Sequence, residues 1–544
     1  MTQRVPGMHG APWLALSMIF LAAPLRAEVI LESGSGRVVG EAIADENDTH
    51  YSLVIYRGYG RKIPRRNVIK QTHVDRSNRD TRTEFDVRRA ALGPADVPAA
   101  LRLAKWAEEQ GLVLQARQLL FGLQQRYPEH AAVRSLPPPP PAREKLSAQE
   151  REFLQAQVRR FFEEPGSRAA VLAALAGNDI LPPDEVRAWA AQCLAEARKG
   201  PRLKPGDIAF KGRNYAGKVH IRLWRRTAQE ADDQAPWPVL LALHGGGLNS
   251  GSWRDGGPLF FGLFREHFDR LLFVAPNVLH RRYAEWGGNP LEEEYVGDLL
   301  EAVKRTWRVD TDRVYLAGIS MGGYGTWHIG GHRADRFAGL VSSAGGLLIG
   351  SAAGSAWGWG TIGNLMHTPI AFLHGGKDKP APPWSDAEAA GILTQLGKEY
   401  PGCYRHQYRF YPKAGHGLPR NAHAKAVRWI VQHKRNPYPK HILWEPKRAF
   451  NRTFYWLRVE NPELFTRMEA RIHGNTVHLS TDTIWGGFSV LLNEHLVDLR
   501  QPVTVTANGE TIFRQRVPAT LATVLQSVAD RVDERQWYAA RIDF

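Results

Sequence analysis

Gly318-Ile319-Ser320-Met321-Gly322 follows the apolar run Val314-Tyr315-Leu316-Ala317 directly and leads into a stretch compatible with a helix. G-x-S-x-G in that context is a sharp strand-to-helix turn, which holds a serine hydroxyl out at the carboxyl edge of a sheet. A serine hydroxyl is a poor nucleophile until a base takes its proton, and the base needs an acid to orient it. In folds built on this turn the acid and then the base come later in the chain. His374-Gly375-Gly376-Lys377-Asp378 follows the apolar run Ile370-Ala371-Phe372-Leu373, so Asp378 falls at the same sheet edge as Ser320. Ala414-Gly415-His416-Gly417 follows the strand-like residues 404–410 and places His416 there too. Asp386, a short loop beyond Asp378, is the rival for the acid. The remaining requirement is a pair of N–H groups for the oxyanion. Met321, directly after the nucleophile, supplies one; Leu243-His244-Gly245-Gly246-Gly247 supplies the other, with Gly246 the first choice and Gly247 the next.

The elements that position these residues are legible from 205 to 435. An antiparallel pair is expected at 208–210 and 219–224, around a turn with Asn214 and Gly217. Continuous apolar strands follow at 239–243, 271–274, 314–317 and 370–373, separated by helical patterns such as Val296, Leu299, Leu300, Val303 and Trp307. Buried-type strands alternating with amphipathic helices predict an α/β domain with a mostly parallel sheet covered on both faces.

These residues resemble the secreted α/β-hydrolase group that holds esterase D-type and feruloyl esterases, polyhydroxybutyrate depolymerases and prolyl-oligopeptidase-like peptidases. The carrying motifs are Leu243-His244-Gly245-Gly246, Val309-Asp310-Thr311-Asp312-Arg313-Val314-Tyr315, Gly318 to Trp327, His374 to Asp378 and Gly415-His416-Gly417. The resemblance implies an α/β-hydrolase fold and a serine hydrolase acting on ester or peptide bonds through an acyl-enzyme. The proline-rich stretch Lys379-Pro380-Ala381-Pro382-Pro383 departs from the family pattern beside the acid.

Around this core the chain changes character. Arg4, an apolar stretch over 13–23 and Leu25-Arg26-Ala27 have the layout of a signal peptide over 1–27, which predicts export to the periplasm or outside the cell. No later segment is long and apolar enough for an integral membrane span. Short strands over 28–75 resemble an SH3-like β-barrel. Residues 98–200 are expected to be helical. They open with a tetratricopeptide-like hairpin, Leu101, Ala104 and Ala107 against Ala116, Leu119, Leu120 and Leu123, and a stiff proline spacer follows at 137–141. Residues 441–544 return to period two and predict a β-rich, sandwich-like domain with Asn508-Gly509 as a hairpin turn and one helix near 521–529.

Composition narrows the partners. The 71 Lys+Arg against 55 Asp+Glu leave +16, but the excess is spread along 544 residues without a basic-aromatic run, so no nucleic-acid partner is expected. Two cysteines, Cys193 and Cys403, exclude a disulfide framework. His328 and His332 share a helix face but lack the acidic partner of H-E-x-x-H, so no metal or other cofactor is expected. Trp357 and Trp359, in a glycine-rich loop at the expected catalytic edge, are candidate substrate-binding residues. The competing class is a catalytically silent binding or scaffold protein on a hydrolase core; retention of Ser320, Asp378 and His416 together speaks against it.

Overall fold

A computed structural model describes residues 27–33, 36–40, 42–46, 50–56, 59–64, 68–75, 79–93, 96–134, 143–227, 235–246, 251–279, 286, 290–347, 362–446, 448–462, 467–481 and 487–544. Residues 1–26 of the expected signal peptide over 1–27, and the proline spacer 137–141, lie outside them.

Residues 27–78 cluster largely as a unit of their own. Six strands between Ala27 and Asp75 form two three-stranded sheets, and Ala27–Ser33 pairs antiparallel with Val68–Asp75.

In the larger unit, an eight-stranded sheet is built from β1 (Gly206–Lys211), β2 (Ala216–Arg225), β3 (Trp237–Leu243), β4 (Arg270–Pro276), β5 (Val309–Ile319), β6 (Gly339–Ser343), β7 (Ile370–Gly375) and β8 (His406–Tyr411). Their order across the sheet is β1-β2-β4-β3-β5-β6-β7-β8. β2 runs antiparallel to both its neighbours, and every other pairing from β4 to β8 is parallel. β3, β6 and β7 are buried along their whole length, as parallel strands covered on both faces must be. On one face α1 (Gly257–Phe264) and α5 (Arg420–Ile430) bury Phe260, Phe264, Ala426 and Ile430 against Leu240, Phe273, Tyr315 and Leu373. On the other, α3 (Met321–His332) sets Trp327 edge-on to Phe372, ring centroids 5.0 Å apart. Successive β7 side chains thus serve opposite layers.

Among the described residues four helices, not two, precede the proline spacer: Arg79–Ala90, Val97–Glu109, Val113–Arg126 and the single turn Ala131–Arg134. The first escapes a reading of apolar periodicity because it is mostly charged and its apolar anchor is Phe85, buried among Leu103, Ala107, Leu112 and Ala116, with Arg88 lying over the Trp106 ring at 4.3 Å. The third packs toward the tail, where Gln118 donates to the Ala507 carbonyl at 3.4 Å.

The tail has a five-stranded and a four-stranded sheet. Asn508 and Gly509 take φ of 50° and 89°, the positive values a tight hairpin demands, and join Val503–Ala507 to Glu510–Gln515. The tail helix Leu521–Asp530 does not pack within the tail alone. Leu525 and Val528 share a core with Leu154, Val158, Phe161, Val171 and Trp189 of the helices over 148–197. Two segments remote in sequence thereby bury one apolar surface.

The tail is also fastened to the sheet domain through buried charge. Arg435, just beyond α5, pairs with Asp533 at 2.8 Å and Asp312 at 3.0 Å. Asp533 accepts from the Thr311 hydroxyl at 2.7 Å, and Arg531 pairs with Asp335 at 2.5 Å. Burial alone would raise the Asp533 carboxyl, but the charges of Arg435 and Lys304 overcome it and hold it well below the usual range. Removing one member leaves the others buried without compensation, so Asp533→Ala should lower unfolding free energy by about 3–5 kcal/mol. The group's stabilisation is complete at neutral pH. It drains away as pH falls below about 4, towards the depressed folded value. Urea unfolding at pH 7 and near pH 2.5 checks both statements: the wild-type advantage over Asp533→Ala should shrink at the lower pH.

Candidate active site

The sheet order, with only its second strand reversed, is that of the α/β-hydrolase fold implied by the sequence, and in this fold chemistry belongs to the carboxyl edge of the parallel strands. Ser320 stands there between the end of β5 and the start of α3, with φ 55° and ψ −119°. A non-glycine residue in that conformation is strained and must be held in place by its surroundings. The Ser320 N–H donates to the Ser343 carbonyl at the end of β6 (2.8 Å), and its own carbonyl accepts from Gly323 N–H (2.8 Å). The flanking glycines are steric necessities: a Cβ on Gly318 would overlap the Gly322 carbonyl, and one on Gly322 would overlap the Leu243 carbonyl.

The predicted partners converge on this turn. His416 Nε2 lies 2.9 Å from Ser320 Oγ, and its Nδ1 lies 2.8 and 3.0 Å from the two carboxylate oxygens of Asp378. The Asp378 side chain is fully buried, whereas that of His416 keeps 33% exposure. The base thus faces solvent and the acid does not. Asp378 is fixed further by the Ala381 N–H on Oδ1 at 3.0 Å. Asp386, the rival acid, does not reach His416. Its Oδ2 lies 2.7 Å from His374 Nδ1, and its Oδ1 accepts from Trp327 Nε1 at 3.1 Å. Prolines after Asp378 fold back so that the Ala381 backbone serves both Asp378 and His374.

The loop after β3 lies against the elbow. A Cβ on Gly245 would come within 3.5 Å of the Ser320 Cβ, and Gly246 takes φ 128°. His244 fixes this loop. Its Nδ1–H donates to the Gly245 carbonyl (2.6 Å) and its Nε2 accepts from Val278 N–H (3.2 Å). Burial pushes the ring pKa down, which suits that neutral form. Met321 opens α3, so its N–H is among the four without an acceptor inside the helix. Gly247, Trp357 and Trp359 lie outside the described residues.

His328 and His332 both turn inward from α3. Burial, followed by the neighbouring His332, drives His328 down to about 3, and His332 Nδ1 sits 2.8 Å from Glu293 Oε2, which also takes Arg448 Nε at 3.1 Å. The sequence reading missed His374 as a residue in its own right. Its only signal was its place at the head of the His374-to-Asp378 motif.

Among known proteins, the chain is 25% identical over 188 residues to the "Probable feruloyl esterase C" of Aspergillus niger, a match covering 34% of this chain and 62% of that one. It is 26% identical over 188 residues to the feruloyl esterase C of Emericella nidulans, with the same shares covered. The match to each therefore spans less than two thirds of the relative's length. A solved structure described as a ferulic acid esterase is 16% identical, with a TM-score of 0.34 over 43% of this chain and 99% of that one. No protein-family model matches the chain.

Proposed function

We propose that this chain is an exported serine hydrolase that cleaves carboxylic esters through an acyl-enzyme. The observation that carries the reading is the continuous hydrogen-bonded line Ser320 Oγ–His416–Asp378 at the carboxyl edge of the sheet. In this reading His416 Nε2 takes the Ser320 proton as Oγ attacks the ester carbonyl carbon. The oxyanion so formed is received by the N–H groups of Met321 and Gly246, Gly247 being the alternative to Gly246. Collapse breaks the bond to the leaving oxygen, which departs as an alcohol carrying the proton from His416. Water then repeats the sequence on the acyl-enzyme and releases the acid and free Ser320. Asp378 keeps Nδ1 of His416 protonated and steadies the imidazolium of each step.

The likeness to feruloyl esterases supports an ester, small or polymer-borne, as substrate, and makes feruloyl esters the first to try. Trp357 and Trp359 lie in sequence between β6, which ends at the carboxyl edge, and β7, and are proposed to grip the acyl or leaving group. The signal-like N-terminus supports export to the periplasm or beyond. Among the described residues no helix is long and apolar enough to cross a membrane.

The purified protein should be labelled at Ser320 by a fluorophosphonate and should turn over aryl and feruloyl esters at least a hundredfold faster than matched amides. Absence of both labelling and ester turnover would leave the silent scaffold as the reading; faster amide turnover would make it a peptidase.

A further inference from the structure

Behind the triad lies a second histidine–aspartate pair. The His374 and Asp386 side chains are fully buried at the end of β7 and the start of α4 (Trp384–Glu399). His374 Nδ1 is 2.7 Å from Asp386 Oδ2; its Nε2 is 2.5 Å from the Ala381 carbonyl and 3.3 Å from Asp378 Oδ2. That Asp378 oxygen is the one His416 approaches at 2.8 Å. One carboxylate oxygen of the acid therefore stands between two imidazoles.

The acceptors decide where protons sit. The Ala381 carbonyl cannot donate, so Nε2 of His374 must carry a hydrogen. The short Nδ1–Asp386 contact then needs a further proton, on the ring or on the carboxyl. Trp327 Nε1–H donates to the other Asp386 oxygen, which favours the carboxylate and hence the imidazolium. Burial opposes a charged ring, but the hydrogen bond and charge of Asp386 outweigh it and hold His374 above its ordinary value. The phenols of Tyr324 on α3 and Tyr408 on β8 also feel the Asp386 carboxylate. Burial, then that charge, pushes both up, Tyr324 to about 12, so neither carries charge in the working range.

We propose that His374 is a positioning residue, held as an imidazolium by Asp386, whose cationic edge fixes the triad acid Asp378 and offsets part of its negative charge. The inference rests on the serine-hydrolase reading.

Asp386→Asn tests this without breaking the packing. The amide oxygen can still accept from Trp327, and the amide nitrogen can donate to Nδ1 of a now neutral His374 whose Nε2–H stays on Ala381. The cation behind Asp378 is lost together with the more distant Asp386 carboxylate, so the pair's net charge is unchanged and only the excess influence of the nearer cation goes. The acid limb of the kcat/KM profile on an aryl ester should move up by a few tenths of a pH unit, as expected for a small dipole removed from a poorly screened site. Plateau activity should stay within about tenfold and Ser320 should still label. An unmoved limb would place the proton on Asp386 and overturn the proposal. A fall in plateau and melting temperature with the limb unmoved would reduce the pair to packing and overturn it equally. If Asp386→Asn does not fold, Trp327→Phe removes the donor that favours the carboxylate and should move the limb the same way by less. A wild type that neither labels nor cleaves esters would instead refute the hydrolase reading itself.

Discussion

Ser320→Ala protein should fold and melt like wild type and yet lose about 10⁴- to 10⁶-fold of ester turnover. The size follows from how the triad works: without Oγ there is no acyl-enzyme, and His416 and Asp378 have nothing to activate. The residual rate would come from the oxyanion donors and from binding, which a neighbouring water can exploit. Folding should survive because Ser320 is held by backbone, its N–H on Ser343 and its carbonyl on Gly323, and alanine keeps both bonds. Alanine should even tolerate the φ of 55° about as well as serine does, since both carry an unbranched Cβ. Melting curves alongside single-turnover kinetics with an aryl ester are the measurement. Wild-type-like turnover by the folded variant would remove Ser320 from the chemistry.

How much of this arrangement could be read from the sequence depended on how local its cause was. The elbow was legible because its serine and glycines fall within five residues, although only Gly318 answers a demand inside the turn and Gly322 answers the Leu243 carbonyl of the neighbouring strand. The strand leading to Asp378 was legible because a buried parallel strand is written as an unbroken apolar run, whereas β8, leading to His416, is a half-buried edge strand and was legible only from its strand-like, aromatic-rich residues. The Asn508-Gly509 turn was legible for the same local reason. What stayed hidden was set at long range. The shared core of the 148–197 helices with Leu525 and Val528 joins segments more than three hundred residues apart, and each looks like an independent amphipathic helix. The Arg435–Asp533–Asp312 cluster consists of residues that would ordinarily be read as solvated charge. The role of His374 depends on a proline-rich loop returning the Ala381 carbonyl to its ring, which spacing alone does not reveal.

Asp378 and Asp386 were indistinguishable by spacing, and their substitution should now separate them sharply. Asp378→Asn should cost about 10⁴-fold in kcat with little loss of stability. The amide would present its N–H₂ or its oxygen to His416 Nδ1. With N–H₂ there, Nδ1 must become the acceptor and Nε2 carries the hydrogen, so the ring can no longer take the Ser320 proton. With the oxygen there, the tautomer survives but the charge that steadies the imidazolium is gone. Either way the buried atom between His416 and His374 loses its negative charge; the Ala381 N–H keeps an acceptor only with the N–H₂ towards His416, since with the oxygen there it faces the N–H₂ instead. Asp386→Asn touches neither Ser320 nor His416, because its two oxygens are taken by His374 and Trp327. Its plateau kcat should therefore fall by no more than about tenfold, some thousandfold less than the Asp378 variant. The comparison is best made as kcat at the pH optimum of each variant, so that a displaced acid limb in Asp386→Asn is not mistaken for lost chemistry. If Asp386→Asn proves the more damaging change under those conditions, the acid of this site is Asp386, and the hydrogen bonds from His416 to Asp378 are structural.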